Sequence, residues 1–182
     1  MKDEKAISPV VGIMLMIAIT IVLGVTLIFF ATAFEMQEPA PFVAHSSGEL
    51  VRDVDGGDDQ KVYLYHEGGD CINLSDIEIV VDATEVCGER VKLVNLPAEH
   101  VPYVGVALSS ENIEGNEDIF DKSSDGIAGA IKEIEFSTGE LLMFRINSGE
   151  NACPLKKGDQ ITVKIIHTPT NTVIIEETLT AS

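Results

Sequence analysis

Twenty-nine consecutive residues, Ala6 to Phe34, carry no charge, and they are bracketed by Lys5 and Glu35. Wound as an α-helix this run is about 43 Å long, more than the roughly 30 Å of a bilayer's hydrocarbon core. A cleavable secretory signal has an apolar core of only about 7–15 residues. Ala31-Thr32-Ala33 does have the small-x-small form of a secretory cleavage site, so a secreted form starting at Phe34 is one alternative. The length of the run argues against it. Lys2 and Lys5 precede the segment, whereas Glu35 and Glu38 follow it. Cations at the amino end place that end in the cytoplasm and the rest of the chain outside. Pro39 and Pro41 then stiffen the exit from the helix.

The start of the helix is marked by Ser8, which can cap the bare amides of the first turn. Pro9 follows at the first helical position, where its missing N–H costs nothing. Gly12, Ala18 and Gly24, with Ala31 and Ala33 further on, are small residues scattered among Ile, Val, Leu and Met. Small residues allow close approach of helices within a bilayer, and they are also ordinary constituents of any membrane anchor.

Removing the first 35 of the 182 residues leaves 147, enough for a core of its own. The chain carries 30 acidic against 12 basic residues, a formal charge of −18. Such a surface repels phosphate backbones and anionic headgroups, which argues against nucleic acid as a partner of the head. It also suits salty surroundings. Beyond Glu35 the pattern changes to alternation. KVYLYHE (61–67), DIEIVVDA (76–83), IKEIEF (131–136), ELLMFRIN (140–147), QITVKIIH (160–167) and NTVIIEETL (171–179) predict strands. Segments near 41–46, 90–96 and 102–108 are less regular candidates. Seven to nine short strands predict a sandwich of immunoglobulin-like type, so the expected class is α+β: an apolar helix, then an all-β head. Asp55-Gly56-Gly57-Asp58 and Ser137-Thr138-Gly139-Glu140 fit tight turns, and His167 to Thr172 joins the last two strands as a hairpin. Glu176 and Glu177 put charge on the closing edge strand. The polar stretch 109–130 reads as a long surface loop with one or two helical turns near 119–131, a candidate exposed or adhesive face.

Few residues suggest chemistry. Cys71, Cys87 and Cys153 allow one disulfide and one leftover thiol, in any of three pairings, if the head lies outside the cell. There is no CxxC and no HExxH. His66-Glu67-Gly68-Gly69-Asp70 brackets two glycines with a possible metal ligand and a carboxylate. With no second histidine nearby it reads as a structural loop in which Asp70 bonds backbone amides. Asp53, Asp55, Asp58 and Asp59 form an oxygen-rich run of the kind calcium favours. The EF-hand pattern fails there, since its sixth and twelfth positions hold Asp58 and Leu64; a solvated acidic turn is the default. Glu111, Glu114, Glu117, Asp118 and Asp121 form a looser second candidate. His45, His100, His167 and Cys153 stand singly and suggest no catalytic group. No nucleotide-binding loop, cofactor motif or defined metal site is read. Asn73-Leu74-Ser75 is a possible glycosylation sequon, the one clear acceptor sequence in the chain.

Lys5-Ala6-Ile7-Ser8-Pro9-Val10-Val11-Gly12, with the Ile-Met-Leu-Met-Ile-Ala-Ile-Thr-Ile-Val-Leu that follows, resembles the amino-terminal segment of archaeal type IV pilins over about 25 residues. YHEGGDCINLSDI and KKGDQITVKIIHTPTNTVI are similar to stretches of archaeal pilin heads. The resemblance implies a leader of residues 1–6, removed between Ala6 and Ile7 by a prepilin peptidase on the cytoplasmic side. Residues 7–35 would then be first membrane anchor and later filament core, and residues 36–182 the extracellular head. It further implies a homopolymer built on a membrane platform with its ATPase, and a role in surface adhesion. Bacterial relatives carry a glutamate five residues into the mature chain, where this sequence has Val11. Subunit docking through a buried carboxylate is therefore unavailable, and assembly would rest on shape and apolar contact. The alternatives are a single-pass, surface-anchored binding protein, and an archaellin-like subunit of a motility filament.

Overall fold

A computed structural model of the chain describes residues 9–33, 39–52, 59–98, 108–123, 126–149 and 152–182. Ala6, Ile7 and Ser8, the acidic run Asp53, Asp55 and Asp58, His100, and residues 102–107 of one expected strand lie outside the described residues. The chain divides into two compact units, up to Gln37 and from Glu38 to Ser182.

The first unit is the helix α1, Pro9–Ala33. Its 25 residues span about 37 Å, and by length and composition it is able to cross a membrane. None of its residues is buried.

The second unit is almost entirely β. Its strands are β1 (Val43–Arg52), β2 (Asp59–Gly69), β3 (Ile72–Asn73), β4 (Ile77–Ala83), β5 (Glu89–Leu93), β6 (Ile113–Glu114), β7 (Ile127–Gly129), β8 (Glu135–Phe136), β9 (Leu141–Asn147), β10 (Gln160–His167) and β11 (Thr172–Thr180). A one-turn helix, α2 (Thr84–Cys87), joins β4 to β5. Four strands form one antiparallel sheet in the order β1-β2-β9-β7. Five form a second in the order β11-β10-β4-β5-β6, and β3 pairs with β8. Every pairing between these strands is antiparallel.

The period-2 alternation decides which side chains meet. In the first sheet Leu50, Val62, Phe144 and Ile127 lie in one cross-strand row. In the second, Ile175, Ile165, Ile79, Leu93 and Ile113 form another. Both rows are buried and belong to a single apolar core. Each buried large side chain in these rows contributes about 1.5–3 kcal/mol to the head's stability. Val80 is buried on the opposite face of β4, between Lys164 and Lys92 in register. Lysine stems can shield such a residue while their ammonium groups go elsewhere. Here Lys164 pairs with Glu176 at 2.7 Å, and Lys92 with Glu78 at 3.3 Å and Glu114 at 3.6 Å.

The two sheets are joined along one side. Leu50 bridges to Ala181, the Ser182 amide donates to the Leu50 carbonyl at 3.2 Å, and the Ser46 hydroxyl donates to Glu177 at 2.5 Å. Gly48 permits this approach: a Cβ there would stand 2.5 Å from Leu179 Cδ2. The opposite edges are β6 and β7, two and three residues long, too short to template pairing with another chain.

Two expectations need correction. Residues 131–136 are not one strand: a 3₁₀ turn, Ala130–Lys132, precedes the two-residue β8. The polar stretch 109–130 is not a free loop. Ile113, Ile119, Phe120, Ile127 and Ala130 are buried in the core, and Phe120 packs edge-on against Phe144.

One buried polar side chain fastens the sheets to the segment before β10. Gln60 is 4% exposed; its amide donates to the Cys153 carbonyl at 2.9 Å and the Ile146 carbonyl at 3.3 Å, and accepts from the Leu155 amide at 2.5 Å. Replacing it with an isosteric apolar residue leaves those backbone groups unsatisfied. Gln60→Leu is expected to lower the head's unfolding free energy by about 2–3 kcal/mol in a denaturant titration; an unchanged midpoint would show that the amide contributes nothing net.

Candidate functional site

The most unusual surface of the molecule is that of α1. Of its large apolar side chains, Val10 through Phe30 are each more than half exposed, so the helix is apolar on every side rather than along one stripe. Its polar groups make no demand on surroundings. The Thr20 hydroxyl donates to the Ile17 carbonyl and the Thr26 hydroxyl to the Leu23 carbonyl, both at 2.9 Å. The Thr32 hydroxyl donates to the Ile28 carbonyl at 2.9 Å. Hydroxyls bonded back into the preceding turn are compatible with hydrocarbon. Gly12 and Gly24 stand free within the chain: a Cβ at either would meet no atom within 4 Å. Ala18 is exposed in the same helix.

On the head, the motif His66 to Asp70 is structural. His66, in β2, is fully buried; its Nε2 donates to the Asp70 carbonyl at 2.8 Å, and its ring meets Phe136 edge-on at 5.3 Å. The Phe42 amide donates to Asp70 Oδ2 at 3.0 Å, and the Asp70 amide returns a bond to the Phe42 carbonyl at 2.8 Å. Gly69, at φ +133°, lies so close to the Phe42 carbonyl that a side chain could not fit. Gly69 thus lets the end of β2 and the start of β1 approach closely.

Cys87 and Cys153 form the disulfide, with their Cα atoms 5.5 Å apart, and Cys71 is a free, exposed thiol. The bond ties the end of α2 to the segment before β10 that Gln60 also holds. Of the second acidic candidate, three members pair with three separate cations. Glu117 pairs with Lys122 at 2.7 Å, Glu114 with Lys92, and Asp121 with Arg145 at 3.7 Å. Asp118 is the middle residue of the 3₁₀ turn Glu117–Ile119, where its amide donates to Asn116 Oδ1 at 3.1 Å, and the Glu111 carbonyl accepts from Asn95 Nδ2 at 2.7 Å. The Lys122 ammonium, then the Ser110 hydroxyl, hold the Glu117 carboxyl below the ordinary range. Among the described residues no three His, Cys, Asp or Glu side chains converge to hold a metal ion.

A depression of about 530 Å³ lies on the outer face of the five-stranded sheet, lined by Asp82, Thr84, Glu85, Gln160, Thr162 and Thr178. Its groups are bonded to one another. Thr84 donates to Asp82 Oδ1 from its hydroxyl at 2.6 Å and its amide at 3.2 Å, which holds the Asp82 carboxyl below the usual carboxylate range. Gln160 donates to the Thr180 hydroxyl at 3.2 Å, and the hydroxyls of Thr162 and Thr178 stand 3.4 Å apart. His45 is exposed, and the His167 Nδ1 is 2.8 Å from the Thr170 hydroxyl. Asn73 and Ser75 of the sequon are both exposed. Sequence reasoning missed Gln60 and the buried apolar residues of 113–130; a lone polar residue in a strand, or a lone Ile in a polar run, carries no signal that it will be buried.

No protein-family model matches the chain. It is similar to an uncharacterized protein of Archaeoglobus fulgidus, 40% identical over 83 residues, which are 46% of this chain and 56% of that relative. The chain thus spans little more than half the length of that protein.

Because a Cβ at Gly12 meets no atom of the described residues within 4 Å, a larger side chain there costs the isolated helix nothing and even gains about 1 kcal/mol in helix propensity. Gly12→Leu is expected to insert in membranes as the unaltered chain does but to lose lateral association, read by cross-linking of membrane-embedded subunits; unchanged association would exclude close helix packing at that position.

Proposed function

We propose that this chain is the structural subunit of an archaeal type IV pilus, a filament that serves surface adhesion. The observation that carries this reading is a helix apolar on all sides, with every hydroxyl satisfied internally, on a chain whose remaining residues form a self-contained β head. Such a helix is stable in lipid, and it is equally stable among identical helices, because the two surroundings offer the same apolar contact. It can therefore serve first as anchor and later as the core of a homopolymer. The leader, residues 1–6, is removed between Ala6 and Ile7 by a prepilin peptidase, and a membrane platform with its ATPase supplies the work of assembly. The head, two antiparallel sheets around one core, is read as a sandwich of the immunoglobulin-like class. The Cys87–Cys153 disulfide suits an oxidising exterior, in agreement with the charge flanking the helix.

A second reading, a single-pass anchored binding protein, is favoured by one observation, the polar depression around Asp82 and Gln160. The two differ in whether the helix changes partners.

With no charge in α1, concentrated salt strengthens rather than screens the contacts between subunits. The chain is expected in filaments sheared from intact cells, and those filaments should persist through concentrated salt. A chain recovered only as a monomer in membrane vesicles, under every growth condition, would overturn the proposal in favour of the anchored binding protein.

A further inference from the structure

The turn between β3 and β4 carries the sequence Asn73-Leu74-Ser75. Asn73 ends β3 in extended backbone, φ −80° and ψ 122°, and opens the 3₁₀ turn Leu74–Asp76. Leu74 is fully buried and fixes the turn to the core, while Asn73 and Ser75 on either side of it are exposed. The Ser75 hydroxyl donates to Asn73 Oδ1 at 2.9 Å and the Ser75 amide donates to the same oxygen at 3.1 Å. The carbonyl oxygen is thus doubly engaged and the Nδ2 is the polar atom left facing outward. A shallow depression of about 150 Å³ adjoins it, lined by Asn73, Asp76, Cys71, His167, Pro39 and Pro41.

This arrangement has a chemical consequence. A carboxamide nitrogen is a poor nucleophile because its lone pair is delocalised onto the oxygen. When the nitrogen attacks and sheds a proton, negative charge gathers on that oxygen, and donors already aimed at it stabilise the charge. The hydroxyl of the residue two positions on is one of those donors, which supplies a physical reason for the Asn-x-Ser requirement at this position.

We infer that Asn73 is N-glycosylated on the extracellular head, an inference that rests on the topology in the proposed function. The donor class is a lipid-linked sugar phosphate or pyrophosphate. Nδ2 forms a bond to the anomeric carbon, the bond from that carbon to the phosphate oxygen breaks, and the lipid phosphate leaves with the bonding electrons. The amide proton passes to a base of the transferase, and nothing is oxidised or reduced. A glycan there stands over Pro39, Pro41 and the free thiol of Cys71, and gives an acidic head a neutral, hydrated cover at that turn.

The test uses the full chain recovered from cells that carry the glycosylation machinery. After reduction, trypsin releases residues 62–90 as one fragment. Its mass is expected to exceed the peptide mass by whole sugar residues. Asn73→Gln and Ser75→Ala are each expected to abolish the increment and Ser75→Thr to keep it, with all three variants present at wild-type level because both side chains are exposed. In parallel, protease is added to intact cells to locate the head. A head digested from outside with fragment 62–90 unmodified overturns the assignment alone. Retention of the increment in Ser75→Ala overturns the role given to the hydroxyl. A head protected in intact cells overturns the topology, and with it the assignment.

Discussion

An apolar cylinder cannot stay in water, and that constraint orders everything else in this chain. Sixteen large apolar side chains of α1, from Val10 to Phe30, are more than half exposed. Covering each is worth on the order of 1–2 kcal/mol, so leaving them all wet costs tens of kcal/mol, against a typical stability of about 5–15 kcal/mol for a whole domain. The helix must therefore have an apolar neighbour at every stage of its life. Between its two ends the backbone is bonded within the helix, and its threonine hydroxyls are bonded to their own preceding turns. No group in it distinguishes lipid from protein, which is why a change of surroundings is energetically open to it.

The head meets the complementary requirement. It encloses a single core of its own between sheets that β1 and β11 join along one side, and it exposes short edges on the other. The disulfide and the Gln60 amide hold one segment, residues 153–155, from two directions. Closing a loop of 66 residues by a disulfide contributes about 4 kcal/mol in the chain-entropy account. A head stabilised in this way keeps its fold whatever apolar partner the helix has. Its acidic surface, part of a chain with a formal charge of −18, favours solubility.

Much of this was legible in the residues. The helix announced itself because 29 uncharged residues have no soluble use, and β2, β4, β9, β10 and β11 followed from β-branched alternation. β1 was harder: its inward positions include Ser46 and Gly48, which face the close approach of β11 and so break the apolar alternation. The 109–130 stretch looked like a loop because its core residues come one or two at a time among polar residues and glycines. What buries Ile113, Phe120 and Ile127 is the architecture around them and not their own neighbours in sequence. The pairing of Cys87 with Cys153 over Cys71 was open in sequence, since it depends on α2 and the β9–β10 connection meeting in space. The acidic cluster at 111–121 looked collective, but Glu114, Glu117 and Asp121 each turn to a different cation, Lys92, Lys122 and Arg145.

The central claim is that one uncharged helix survives processing and passes from lipid to its own copies. The intact mass of the chain in its assembled state tests this most directly. The account predicts a mature polypeptide that begins at Ile7, with the helix retained and the charged leader gone. A mature chain beginning at Phe34, which has lost the helix, would contradict it, as would one that keeps its leader intact in every form recovered.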